Sequence, residues 1–310
     1  MINTITLTMN PCIDKSTSVD NVVAERKLRC DRPRYEPGGG GINVSRAAAR
    51  LGGESTAVYL AGGPPGNMLK TLLDEERIHH EPFEIKGLTR ENLIVYEESS
   101  EQQYRFGMPG PEIREKEWQA FMKQLDRIDP KPGFIVGSGS LPPGVPADFY
   151  ARVSKWGKHH GAKMIVDTPG DPLSLACKEG VFMVKPNLRE LEILEGKSIE
   201  NEGQQEGLAR RLIEDGCTEA VVVSLGAAGA LFAWEGGVGR VRSPTVPIKS
   251  KVGAGDSMVA GIVVALARGW KMPDAVRYGV AAGAAAVMTP GTELCRREDT
   301  ERLYRQITNQ

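Results

Sequence analysis

The chain has 310 residues, 40% of them hydrophobic and 25% charged, with a formal net charge of −1. That size supports a substantial α/β core, while the balanced charge speaks against broad nucleic-acid or membrane-surface binding, which asks for a basic excess. No apolar run approaches the roughly 20 residues that span a bilayer.

Taken in chain order, Met1-Ile2-Asn3-Thr4-Ile5-Thr6-Leu7-Thr8 alternates like a strand and lacks the basic start of an export signal. Asp14 follows in Asn10-Pro11-Cys12-Ile13-Asp14. Residues 16–36 are polar, with no helical period, and residues 88–107 repeat that character. In the second stretch Leu93/Val95 and Tyr104/Phe106 flank Glu97-Glu98-Ser99-Ser100-Glu101 as a hairpin would. Both stretches read as a small β lid inserted into one α/β domain spanning 1–310. Between them, Pro37-Gly38-Gly39-Gly40-Gly41-Ile42-Asn43 runs into an alanine-rich helix ending near Leu51. Consecutive glycines weaken a chain unless its backbone must approach something closely. Asn43, in the first turn, can donate and accept toward a sugar hydroxyl. A flexible loop with a helix cap is the plainer alternative.

Farther along, apolar runs alternate with helical periods. Residues 57–60 precede a helix through Leu69, Leu72 and Leu73, and residues 133–137 precede one across Tyr150, Val153 and Trp156. Runs at 163–167, 181–184 and 220–223 follow, each ahead of a helical stretch. This succession describes a parallel sheet covered on both faces. The 226–239 region carries hairpin signals, and 254–267 and 272–288 read as consecutive helices. Ligands of open α/β sheets gather beyond the carboxyl ends of the strands, which singles out Asp14, Asn187 and Ser224. Each could equally order its own loop.

Val252-Gly253-Ala254-Gly255-Asp256-Ser257 carries the most chemistry. Small residues opening a helix let unpaired N–H groups converge on an anion, and the helix dipole favours it there. A carboxylate beside such a nest suits phosphoryl transfer to an alcohol, with the carboxylate taking the hydroxyl proton. An ordinary helix cap is the alternative. Asn187 and Glu190 offer oxygens to a hydrated Mg²⁺ or form a capping box. Two partial motifs fail: Leu191 stands where a P-loop ending in Gly196-Lys197-Ser198 needs glycine, and Pro142 interrupts a dinucleotide fingerprint starting at Gly137. The scattered Cys12, Cys30, Cys177, Cys217 and Cys295 read as reduced thiols of a cytoplasmic protein. The pairs His79-His80 and His159-His160 read as surface histidines without a catalytic role.

Together the block Gly38-Gly39-Gly40-Gly41-Ile42-Asn43 and the block Val252 to Ser257 resemble the two signatures of the ribokinase-like (PfkB-type) sugar kinases, and the resemblance spans nearly the whole chain. It implies an α/β fold, a three-layer doubly wound mostly parallel sheet with a small inserted β lid. Tyr104-Arg105-Phe106, Gly139-Ser140-Leu141-Pro142-Pro143-Gly144 and Lys185-Pro186-Asn187 are most similar to members that phosphorylate fructose 6-phosphate at O1. Relatives acting on tagatose 6-phosphate or fructose 1-phosphate, the nearest alternatives, typically carry lysine where this chain has Gly40. The resemblance implies that Asp256 is the base and that Gly253, Ala254 and Gly255 form the anion hole. It implies sugar contacts from Asp14, Gly39, Asn43 and Ser140, and phosphate contacts from Lys27, Arg90 and Arg105. Lys185, Asn187, Ser224, Gly226 and Gly229 would line the ATP site, with Asn187 and Glu190 near Mg²⁺. A potassium ion would sit among Ser250, Val252, Ala286 and Gly291, beside Lys251, and two lids would pair in a homodimer. Retention of Asp256 and its glycine turn argues against a non-catalytic sugar-phosphate sensor on the same scaffold.

Overall fold

A computed structural model describes residues 3–309, so Met1 and Ile2 of the anticipated first strand lie outside the described residues. The strands are β1 (Thr4–Thr8), β2 (Cys12–Val19), β3 (Arg34–Gly38), β4 (Thr56–Ala61), β5 (His80–Glu84), β6 (Arg90–Glu97), β7 (Gln102–Phe106), β8 (Phe134–Ser138), β9 (Lys163–Asp167), β10 (Val181–Val184), β11 (Thr218–Ser224), β12 (Ala230–Trp234) and β13 (Gly237–Val241). The helices are α1 (Gly40–Arg50), α2 (Gly63–Glu75), α3 (Glu115–Leu125), α4 (Phe149–His159), α5 (Asp171–Glu179), α6 (Leu188–Glu195), α7 (Glu202–Glu214), α8 (Ala254–Ala267), α9 (Met272–Val287) and α10 (Arg297–Thr308).

Nine strands form one sheet in the order β13-β12-β11-β10-β9-β8-β1-β4-β5. It is parallel from β11 to β5, and the β12–β13 hairpin closes one edge antiparallel. Continuous apolar strands such as Val221-Val222-Val223 are buried on both faces. On one face α1, α8, α9 and α10 pack through Val44, Leu51, Ile262, Ala282 and Leu303; on the other, α3, α4, α5 and α7 pack through Phe121, Phe149, Leu173 and Leu212. The result is the expected three-layer α/β architecture. The chain runs from β1 outward to β4 and β5, then crosses to β8 on the other side. The strand order therefore reverses between β1 and β8, and the carboxyl ends of those strands border the crevice where ligands collect.

The glycine block fills that crevice. A Cβ on Gly40 would collide with Ser138 Oγ and lie 2.7 Å from Gly139 N, and one on Gly41 would lie 2.5 Å from Leu7 O. Glycine lets α1 start directly against the ends of β1 and β8.

A second, four-stranded sheet has the order β3-β2-β6-β7. The β6–β7 hairpin pairs Leu93 with Phe106 and Val95 with Tyr104, as the alternation suggests. Two features differ from expectation. This sheet starts at Cys12 and so includes Asp14, while residues 20–33 connect β2 to β3 without a strand. Also, β2 and β6 run parallel, aligning Asp14 with Asn92.

Two further expectations need correction. Cys177 on α5 and Cys217, just before β11, are joined sulfur to sulfur with Cα atoms 4.3 Å apart, so they are not separate thiols; Cys12, Cys30 and Cys295 are free. His80 lies in the edge strand β5 with only 10% of its side chain exposed, bonded to Tyr59 Oη at 2.9 Å and Asp74 at 3.1 Å. Its neighbours' polarity hid that packing. No helix of the described residues is long and apolar enough to cross a membrane.

Candidate active site

Asp256 stands in the first turn of α8, which begins after Gly253 in the left-handed conformation, φ 74°. A side chain at Gly253 would strike Leu294, so both the backbone angle and the space require glycine there. The turn leaves the first amides of α8 without intrahelical acceptors. Lys185 Nζ faces it: a Cβ on Gly255 would lie 3.5 Å from that nitrogen. Lys185 is buried and ion-paired to Asp167 Oδ1 at 3.1 Å. Burial works against its charge, but Asp167 and then Asp256 hold its proton affinity above the usual lysine value.

The Asp256 carboxyl is pushed up to about 6. Desolvation is the main cause and Asp167 adds to it, whereas the hydrogen bond from Asn43 and the Lys185 charge oppose the shift. Asn43 Nδ2 donates to Asp256 Oδ2 at 2.9 Å. A carboxyl so shifted is half protonated near pH 6, the range suited to a group that accepts a proton near neutrality.

Asp256 opens onto a cavity of about 490 Å³ under the small sheet, lined also by Asp14, Gly39, Asn43, Arg90, Arg105 and Gly253. Asp14 is buried, and its Oδ1 accepts from Asn92 Nδ2 at 2.9 Å and Cys12 Sγ at 3.2 Å. Its Oδ2 packs so closely on Gly38 that a Cβ there would clash. Arg90 donates to Asn10 O and Met108 O, both at 2.9 Å, while Arg105 is exposed at the cavity rim. Two expected contacts fall outside this cavity's lining. Lys27 is exposed on the 20–33 connection, and Ser140 is exposed with its Oγ held by Asn10 Nδ2 at 3.2 Å.

A second cavity of about 730 Å³ is lined by Asn187, Arg189, Ser224, Ala228, Arg240 and Arg242. Asn187 and Glu190 make a full capping box: Glu190 N donates to Asn187 Oδ1 and Asn187 N to Glu190 Oε2, both at 2.9 Å. Gly226 and Gly229, with φ 59° and 96°, close the turn between β11 and β12, and Leu225 N donates to Gly229 O. They do not line that cavity; their glycines are needed for the turn itself. Near the start of α8, Ser250 Oγ donates to Gly291 O at 2.8 Å, and Thr289 Oγ1 donates to Ala286 O at 2.8 Å.

Sequence reasoning missed Asp167 and Asn92. Asp167 ends an apolar strand, the same strand-end signal that singled out Asn187 and Ser224. Asn92 reaches Asp14 across 78 residues, and only the strand register reveals it.

A family profile described as pfkB family carbohydrate kinase matches residues 2–299. The ATP-dependent 6-phosphofructokinase isozyme 2 of Mycobacterium tuberculosis is 45% identical over 300 residues, covering 97% of this chain and 88% of the relative. Phosphofructokinase-2 from Escherichia coli in complex with fructose-6-phosphate superposes with a TM-score of 0.94 at 39% identity, covering 99% of this chain and 100% of the other. The same Escherichia coli enzyme in complex with potassium gives a TM-score of 0.95 at 40% identity with the same coverage.

Proposed function

Because this chain belongs to the pfkB family of carbohydrate kinases, phosphotransferases with a hydroxyl acceptor, we propose that it transfers the γ-phosphoryl group of ATP to O1 of fructose 6-phosphate, giving fructose 1,6-bisphosphate and ADP. The observation that carries this reading is the position of Asp256, between the sugar-sized cavity and the amide-rich start of α8. Asp256 accepts the proton of the 1-hydroxyl as O1 bonds to the γ-phosphorus, and the bond from that phosphorus to the ADP oxygen breaks. Amides at the turn of Gly253, Ala254 and Gly255, with the Lys185 ammonium, meet the charge on the phosphoryl oxygens. Asp14, Gly39 and Asn43 orient the ketose, and Arg90 and Arg105 receive its 6-phosphate through planar guanidinium donors. The small sheet over the cavity excludes water that would otherwise compete as acceptor.

Glu190 Oε2 and Asn187 Oδ1 each accept one bond in the capping box, and Glu190 Oε1, outside it, would be the oxygen offered to a divalent ion. Among the described residues no cluster of three metal-ligating side chains exists. This donor set fits Mg²⁺, which keeps most of its water and binds chiefly through nucleotide phosphates. When bound, it supplies charge neutralisation on the ATP phosphates. The Gly291 carbonyl accepts the Ser250 hydroxyl and retains a second lone pair, whereas Ala286 O already accepts both the hydroxyl and the amide of Thr289; Lys251 is exposed. A monovalent cation such as potassium would be held there chiefly by the Gly291 carbonyl, with Ser250 and Val252 beside it.

The test is ADP release with fructose 6-phosphate, tagatose 6-phosphate and fructose 1-phosphate, ranked by kcat/KM. Fructose 6-phosphate should lead, and Asp256→Ala should lose about 10²–10⁴ in kcat. Near-native turnover by that variant, or tight sugar binding without ADP release, would overturn the reading.

A further inference from the structure

Arg46 carries a charge that the steps above do not use. It lies on α1 with 1% of its surface exposed, among the largest fully buried side chains. A buried guanidinium persists only when its donors are paired. Its Nε donates to Glu76 Oε2 at 2.8 Å, and its Nη2 donates to Glu76 Oε1, at the end of α2. Glu36 Oε1 stands 3.8 Å away. The remaining nitrogen, Nη1, points toward the site. It donates to Pro37 O at 2.9 Å, to Thr292 O at 3.4 Å and to Asn43 Oδ1 at 3.5 Å. Pro37 leads into the glycine block, and Thr292 belongs to the loop whose Leu294 packs on Gly253. Asn43 in turn donates to Asp256. One buried cation thus touches the glycine block, the loop behind the anion hole and the amide that holds the carboxylate.

We propose that Arg46 is a positioning residue for phosphoryl transfer: it holds the oxygen end of the Asn43 amide, which turns the NH₂ end toward Asp256. An amide released from Arg46 can rotate and offer Asp256 an oxygen instead of a donor. Asp256 also faces Asp167 from β9, Lys185 beyond β10 and Asp14 from β2, and none of these touches Arg46. The Asn43 bond lowers the proton affinity of Asp256, so its loss moves the acid limb of the rate profile to higher pH. This inference rests on Asp256 being the base.

A double-mutant cycle tests it. Arg46→Lys and Glu76→Gln are each measured in the natural chain and in an Asn43→Ala background, by ADP release with fructose 6-phosphate across pH. Each should lower kcat/KM roughly tenfold, within the range for coupled neighbours, and raise the pH of the acid limb. In the Asn43→Ala background neither should lower kcat/KM further by more than about twofold. Glu76 is partly exposed, so Glu76→Gln keeps the test valid if Arg46→Lys does not fold. Equal losses in both backgrounds, or a lowered Tm with an unmoved acid limb, would reduce Arg46 to a packing residue. Failure of the base assignment is separate: it shows as retained turnover in Asp256→Ala.

Discussion

A carboxyl held at about 6 instead of its ordinary 3.8 has a direct consequence for stability. The folded protein binds this proton more tightly than the unfolded chain does. The penalty is therefore absent below the unfolded pKa and grows as pH rises to about 6, so stability falls across that window. Above it the charged, desolvated Asp256 costs about 2–3 kcal/mol at most. Asp256→Asn keeps an acceptor for Asn43 and removes the charge. We expect a higher Tm than the natural chain at pH 8 and an equal Tm near pH 4, alongside loss of catalysis, which is the trade expected of a strained catalytic group. Thermal melts at both pH values check this, and a Tm unchanged at pH 8 would show that Asp256 is well solvated. In the natural chain kcat/KM should fall tenfold per unit below about pH 6. Asp256 was legible in the sequence because its motif is local: the glycine turn, the helix start and the acid are contiguous. Asn92 was not, because its partner Asp14 is joined to it only by parallel strand register. Lys27 illustrates the converse: the family resemblance implied a phosphate contact for a residue that lies exposed on the 20–33 connection, outside the cavity lining.

The block from Gly38 to Gly41 shows why an element can tolerate so little change. Gly40 lies against the turn after β8, where an added Cβ would meet Ser138 Oγ and the Gly139 backbone. Gly40→Lys should therefore destabilise the chain by about 1–3 kcal/mol, as overpacking does, and should not convert it to a tagatose 6-phosphate enzyme. Denaturant midpoints and the substrate panel measure both effects. A stable variant preferring tagatose 6-phosphate would show that the 138–139 turn yields readily. Elements with strong periodicity were readable from the sequence alone. Helices expected at 254–267 and 272–288 appear as α8, Ala254–Ala267, and α9, Met272–Val287. The hairpin signal at 226–239 appears as β12 and β13. Strand β5 escaped notice because His80-Glu81-Pro82-Phe83-Glu84 has little apolar character, and proline within a strand is tolerated only at an edge. The parallel pairing of β2 with β6 escaped for another reason: adjacent strands leave no mark of partner choice in a single chain.

At the scale of the whole molecule, the small sheet poses the remaining physical problem. By strand register Tyr35 on β3 and Phe106 on β7 share one face of it, exposed by 37% and 47%. Its outer strands β3 and β7 have unpaired edges, and such edges invite another chain. An apolar, open-edged sheet attached to a well-packed body suits a second copy of the same sheet, because a two-fold contact buries the same patch on both partners. We expect a homodimer joined through these sheets. Tyr35→Asp places a charge in the patch at a residue that does not line the cavity, so it should weaken dimerisation at least tenfold, as loss of a buried aromatic anchor does. Sedimentation across a concentration series reads the association. The same variant should lose activity at concentrations where it is monomeric and recover it as the dimer reforms, since Arg90 and Arg105 ride on β6 and β7. A variant that stays dimeric would place the contact elsewhere. A monomer with undiminished kcat/KM would show that the small sheet covers the sugar without help from its partner.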